Sequence, residues 1–317
     1  MKTKFFLVTA MVLGTIIFTS CSDDDDPTVK HGQLNVKITD APSDDSNIQG
    51  TFVTVSKLMI DGHELEGFQK QTIDISAYQE GNSKLIFKDE MEAGSYSNVS
   101  LVINYETDMN ENSPGCYILT TDNKKHNLTN SSDAEAELTL NKTFNVESSQ
   151  TTDIVIDFDL RKSVVRNNES SESDYSFASD AELQSAVRIV TENETGVLEG
   201  EINNNTSLDL DFVVYVYKKG EYNFVTETQG QNSGEIMFAN AITSTKVNED
   251  GSYHLAFLEE GDYEIHVACY LPSTNNEKLS FAGMADAISL TPALLLDNLQ
   301  ISSNSTVELN ISVNINI

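Results

Sequence analysis

Several groups of side chains in this sequence have the types and spacing to do chemistry. Asp153, Asp157 and Asp159 alternate along one extended run, and Asp40, Asp44 and Asp45 gather at an earlier turn. Carboxylates brought together suit a hard cation such as calcium, which takes about six to eight oxygens. The plainer reading is a strand with one wet face, its charge offset by Arg161 and Lys162. Asp40, followed by Ala41-Pro42, then simply serves a turn. Tyr215 and Tyr217 share a strand face, with Tyr222 and Phe224 close in sequence, and such rings can stack on sugars. Trp, the strongest stacking platform, is absent, and at least one face of that strand reads as core. His31, His63, His126, His254 and His266 fall at no zinc-ligand spacing. His254 and His266 could be neighbours on adjacent strands, but exposed strand positions explain them as well. There is no Gly-x-Ser-x-Gly elbow, phosphate-cradling loop or Cys-His nucleophile pattern. Cys116 and Cys269 fall in different predicted domains and read as free thiols. No catalytic residue and no cofactor is expected.

Composition narrows the classes further. The 317 residues suit about two domains at roughly 100–200 residues each. Fifty acidic against 19 basic residues give a formal net charge of −31. Nucleic acid is excluded as a partner, because phosphate contacts need clustered Lys and Arg. Three Cys are too few for a disulfide scaffold.

At the start, Lys2 and Lys4 precede an apolar run from Phe5 to Phe18, too short for a bilayer-spanning helix, which needs about 20 residues. Small residues Thr19 and Ser20 follow, then Cys21, as in a secretory signal with its cleavage site. This resembles the bacterial lipoprotein box, with Phe18 where Leu is usual, and implies acylation of Cys21. Ser22, Asp23, Asp24, Asp25 and Asp26 come next. An acidic run behind a lipidated Cys resembles the export signal of surface-displayed lipoproteins in some Gram-negative bacteria. As plain physics it is a solvated, self-repelling tether. The expected location is therefore the outer membrane, at the cell surface, through a lipid anchor.

The elements that must position the candidate residues read as strands. Leu34, Val36 and Ile38 alternate with polar residues, as do Ile154, Ile156, Phe158 and Leu160. Phe52–Ile60 and Val99–Tyr105 are mixed apolar runs, the first suited to a strand buried on both faces. Leu138, Leu140, Phe144 and Val146 alternate around a slip at Lys142, the mark of a bulge. Further strands are expected at Phe212–Tyr217, Tyr263–Cys269 and Val307–Ile317, with Asp297–Ile301 and Thr306–Asn316 reading as a hairpin around Ser302-Ser303-Asn304. Ser179–Val190 fits a short helix or a strand. Arg166–Ser179, rich in Ser, Asn and acids, reads as an exposed loop. The fold class is all-β: two antiparallel β-sandwich domains in tandem after a lipoprotein signal peptide. The expected boundaries are 1–20 for the signal, 21–31 for the lipidated tether, 32–193 for the first sandwich and 194–317 for the second.

Two family resemblances attach to these segments. Gly32 to Pro42, with its Thr-Asp-Ala-Pro ending, then Ala93-Gly94-Ser95-Tyr96 before Val99–Ile103, then Ile156 to Val164 before Val187–Val190, resemble a bacterial lipoprotein family of unknown function. Gly196–Ile202, Asn248–Leu255 and Glu260–Ile265 resemble the carboxypeptidase-regulatory, transthyretin-like sandwich. In that motif Asp250-Gly251 reads as a hairpin turn, and Tyr253 and Tyr263 as edge rings with wet hydroxyls. The resemblances imply location and architecture but no activity. The expectation is a non-enzymatic surface lipoprotein acting as a structural or interaction module toward a protein or glycan ligand. The alternatives are a fimbrillin-type pilus subunit assembled by strand donation, motivated by the last strand, and a glycan-binding accessory lipoprotein.

Overall fold

A computed structural model describes residues 29–129, 133–167, 174–206, 208–231, 236–272 and 279–315. Cys21 and the acidic run 22–26 lie outside the described residues. The chain is all-β and sandwich-like, with three short α-helices and two 3-10 turns among the described residues.

In the first half, a four-stranded sheet runs Val187–Thr191, Thr151–Asp159, His31–Ala41, Lys84–Glu92. It faces a seven-stranded sheet built on Ile48–Ile60 and Gly94–Asn104. Between them the inward side chains close one apolar core: Leu34, Val36 and Ile38 from one strand, Ile154, Ile156 and Phe158 from its neighbour, and Val53, Leu58, Leu101 and Ile103 from the facing sheet. The alternation that predicts these strands thus also names their buried face. The slip at Lys142 is a bulge: Asn141 pairs with Asn98 and Phe144 with Tyr96, so two residues oppose Ser97.

In the second half, a sheet of Ser252–Glu259, Thr195–Asn204, Ile311–Asn314 and Asp286–Ser289, joined by Thr306–Glu308, packs on one of Thr243–Lys246, Asp211–Lys218, Gly261–Leu271 and Ser280–Met284, joined by Leu299–Ile301. Asp211–Lys218 is buried on both faces. Phe212, Val214 and Val216 enter the core between the sheets. Val213, Tyr215 and Tyr217 enter a second apolar cluster with Phe238 and Tyr270.

Several expectations are corrected. Not every pairing is antiparallel: His31–Ala41 runs parallel to Thr151–Asp159, and Thr195–Asn204 runs parallel to Thr306–Glu308 and Ile311–Asn314. The C-terminal run makes no hairpin with Leu299–Ile301, which pairs with Gly261–Leu271 in the opposite sheet. It breaks into two short strands, the second lying between Thr195–Asn204 and Asp286–Ser289, inside the chain's own sheet. The crossing at that break is close: a Cβ on Gly200 would sit 2.1 Å from the Leu309 carbonyl oxygen. Asp250-Gly251, with Gly251 at φ +89°, turns the chain between the two sheets rather than closing a hairpin. Tyr253 and Tyr263 are buried, and their hydroxyls donate to the carbonyls of Leu309 and Glu259 instead of staying wet. The segment read as an exposed loop is strand at both ends, Val164–Arg166 against Tyr175–Phe177, with Tyr175 and Phe177 buried. Ser179–Val190 is helix and then strand: Asp180–Ala186 starts from a Ser179–Glu182 capping box and gives way to Val187–Thr191.

Candidate functional site

Asp157 and Asp159 do not face water, and Asp153 is half-buried. Ile154, Ile156 and Phe158 fill the first core, so Val155, Asp157 and Asp159 must point to the other side of the sheet, where the second half covers them. Val155 and Val190 form a small apolar cluster with Phe257 from that half. Around it lie the charges.

Asp157 sits directly opposite Arg188 on the antiparallel neighbour, and its Oδ2 accepts from Arg188 Nε at 2.8 Å. Arg188 Nη1 then reaches across to the carbonyl of Phe257 at 2.7 Å. Asp159 ends the strand at the short helix Leu160–Ser163, which places Arg161 and Lys162 over it. Its Oδ2 accepts from Arg161 Nη2 at 2.7 Å and lies 3.1 Å from Lys162 Nζ. Arg161 Nη1 donates to the carbonyls of Met237 and Phe238 at 2.7 and 2.8 Å, and Lys162 to that of Ala241 at 2.9 Å. Lys142 pairs with Glu259 at one margin, and Asn304 donates to the carbonyl of Asn193 at another.

Two of these acceptors share an uncommon feature. Phe238 and Phe257 have φ of +55° and +58°, in the left-handed region that a bulky side chain rarely visits. Each offers its carbonyl to an arginine of the first half. The strain of about 1–2 kcal/mol per residue is offset by a charge-assisted hydrogen bond to a buried guanidinium.

Asp40 lies beside this cluster on His31–Ala41, accepting from Gln79 Nε2 at 2.8 Å. Burial, with Asp157 and Asp159 nearby, pushes its carboxyl well above the usual range. Burial also raises Asp157, against the opposing pull of Arg188. Desolvation lowers Lys162 despite the adjacent Asp159. A crevice of about 20 Å³ between the halves, lined by Asp40, Asp157, Thr245, His254 and Phe257, is about the size of one water.

The calcium candidates are therefore corrected. Asp153 is held by Asn35 and Lys37, Asp157 by Arg188, and Asp159 by Arg161 and Lys162, while Asp40 accepts from Gln79. No cluster among the described residues could hold a metal ion. The ring pair is corrected too. Tyr215 and Tyr217 are about 1% and 0% exposed, so neither can stack on a sugar. Tyr215 lies against Phe238 with its hydroxyl 2.6 Å from that of Tyr270. Tyr217 donates to Glu227 at 2.9 Å. His254 and His266 are not on adjacent strands; they contact Glu199 and Glu264 in different sheets. Cys116 and Cys269 are free and buried.

Glu227 escapes sequence reading altogether. It is fully buried in the short helix Phe224–Thr228. Tyr217, Gln231 and Asn240 donate to it, Asn240 through both side chain and backbone. The only local signal is Asn223, whose Oδ1 accepts from Val225 and Thr226 N–H as an N-cap.

The second half also holds a concave pocket of about 340 Å³. Its walls include Tyr222, Phe224 and His266, with Met284 and Leu296 beside them and Asp286 and Asp297 among the lining residues. Tyr222 and His266 stack at 3.6 Å between centroids. Glu264 Oε1 fixes the Tyr222 loop by accepting from Gly220 and Tyr222 N–H.

Comparison with known proteins gives one family. Residues 31–178 match a domain of unknown function (DUF4382). No curated protein matches the chain. Among solved structures, the Bacillus anthracis TIE protein is similar at 12% identity and a TM-score of 0.19, covering 89% of this chain, which spans 34% of it. A leucine-rich repeat protein from Bacteroides thetaiotaomicron is similar at 12% identity and a TM-score of 0.20, over 90% of this chain and 26% of its own. The major pilin subunit of Bacillus cereus, BcpA, is similar at 12% identity and a TM-score of 0.20, over 90% of this chain and 70% of its own. The chain is all-β, and its residues 31–178 match the family model of a domain of unknown function, DUF4382.

Proposed function

We propose that this chain is a non-enzymatic module of structural or interaction type, displayed on a bacterial outer membrane through a lipid on Cys21. In this reading residues 194–317 form a carboxypeptidase-regulatory-like accessory sandwich welded to the first domain. One observation carries the proposal: the strongly perturbed charges are spent on the joint between the halves, with Arg161 bridging Asp159 to the Met237 and Phe238 carbonyls. Buried acids and bases gathered this way hold two bodies in register, whereas catalysis needs such groups beside an open cavity.

Two measurements test this. Mass spectrometry of the chain from bacterial membranes is expected to find a diacylglyceryl thioether on Cys21; an unmodified Cys21 overturns the anchor. Purified protein is expected to give no turnover on chromogenic glycosides, esters and peptides. Turnover that co-purifies with the chain and disappears on changing its carboxylates overturns the non-enzymatic reading.

A further inference from the structure

The pocket beside Tyr222 combines three properties that do not occur together at the joint: it is open, lined by aromatics, and carries carboxylates outside any ion pair. Neither Asp286 nor Asp297 enters an ion pair among the described residues, and no Lys or Arg lines the pocket. The third titratable wall is His266. Burial lowers it below the usual imidazole value against the pull of Glu264. Tyr217 lies nearly perpendicular to it and Tyr222 stacks on its face. The lining thus offers aromatic rings and two carboxylates and no Lys or Arg.

Phe224, one of its lining residues, is itself about half exposed. Asp286–Ser289 is also a terminal strand of its sheet, pairing only with Ile311–Asn314 among the described residues.

We infer that this pocket seats a lysine or arginine side chain carried on a basic polypeptide segment. Charge selects this occupant. A cation over a ring face is attracted by the ring quadrupole, and the two carboxylates add to that attraction. The chain's net charge of −31 steers such a partner toward it. A neutral sugar fits less well. Its hydroxyls need donors as well as acceptors, yet the polar lining beyond Tyr222 and His266 is carboxylate, and His266 covers one face of Tyr222. The inference deepens the interaction-module reading by naming a ligand class, and it rests on that reading.

The test titrates hexalysine into the purified full chain by calorimetry, at fixed salt. Three proteins are compared with the parent: Phe224→Ala, the double variant Asp286→Asn/Asp297→Asn, and a control double variant Glu90→Gln/Glu147→Gln that removes the same charge elsewhere. All five positions are exposed, so folding is retained and is checked by an unchanged melting curve. The expected result is a loss of about fivefold or more in affinity for each pocket variant, with less than about twofold for the control. Equal losses in the control and the Asp variant overturn the inference, since attraction is then to overall charge. Unchanged binding in Phe224→Ala also overturns it. So does binding of neutral oligosaccharides that depends on Phe224 and not on the two Asp. None of these outcomes bears on turnover or on the lipid at Cys21, so the wider reading stands or falls separately.

Discussion

The joint and the pocket are made from the same residue types and put them to opposite uses. At the joint, Asp157 and Asp159 are buried against Arg188, Arg161 and Lys162, and Tyr215 is packed on Phe238. At the pocket, Asp286 and Asp297 face solvent without a cation, and Phe224 is exposed. The comparison teaches that a carboxylate or a ring has no functional meaning until its surroundings are known. Once covered and paired it is architecture; once open and unpaired it is available to a ligand.

The largest effect expected is at the joint. Arg161→Ala leaves Asp159 buried with only Lys162 beside it and strips two carbonyls of their donor. Denaturant unfolding should register a loss of about 3–5 kcal/mol. Replacing both charges, Asp159→Asn with Arg161→Met, is expected to cost less than Arg161→Ala alone, because no bare ion remains. If the single variant is harmless, the joint is not the weld it resembles.

Asp40→Asn acts in the other direction. Burial first, and then Asp157 and Asp159, raise the Asp40 carboxyl, so the folded chain keeps a proton there that the unfolded chain releases. That preference favours folding in acid, is fully present below the ordinary carboxyl range, and is lost as pH rises through the elevated value. The Asn variant should therefore melt higher than the parent in neutral and alkaline buffer and converge with it in acid. Thermal melts across that range check it, and a parallel offset at every pH would contradict the proposed burial of the charge.

Tyr215→Phe removes only the hydroxyl contact to Tyr270 and should cost about 1 kcal/mol in the same denaturant measurement. At the other end of the scale, Phe224→Ala is expected to change stability by no more than about 0.5 kcal/mol, since nothing in the fold leans on that ring. A large loss there would erase the contrast between the two regions.

Period-two alternation is enough to find the strand Thr151–Asp159 and to send Ile154, Ile156 and Phe158 into the core. It even locates the bulge at Lys142, because a bulge is a slip in that same period. It fails where the second face of a strand is also covered. Asp157 and Asp159 read as wet because polar residues on alternate positions usually are, and only the arrival of the other half buries them. Tyr215 and Tyr217 fail for a related reason: sharing a face says nothing about whether Phe238 and Glu227 will lie upon it. The partners Arg161 and Lys162 for the Asp row are legible because they are adjacent in sequence. Their carbonyl acceptors at Met237, Phe238 and Ala241 are not, because a main-chain oxygen has no signature among side chains.

That last property has an evolutionary corollary. Arg161, Lys162 and Arg188 grip peptide oxygens rather than side chains in the other half, and two of the residues gripped have a backbone that turns the unusual way. Relatives could exchange the amino acids at Met237 or Ala241 freely while keeping the clasp, provided the chain traced the same curve. Correlated substitutions between the two halves would then be sparse, and methods that infer proximity from covariation would tend to see two strangers where the molecule has a firm handshake.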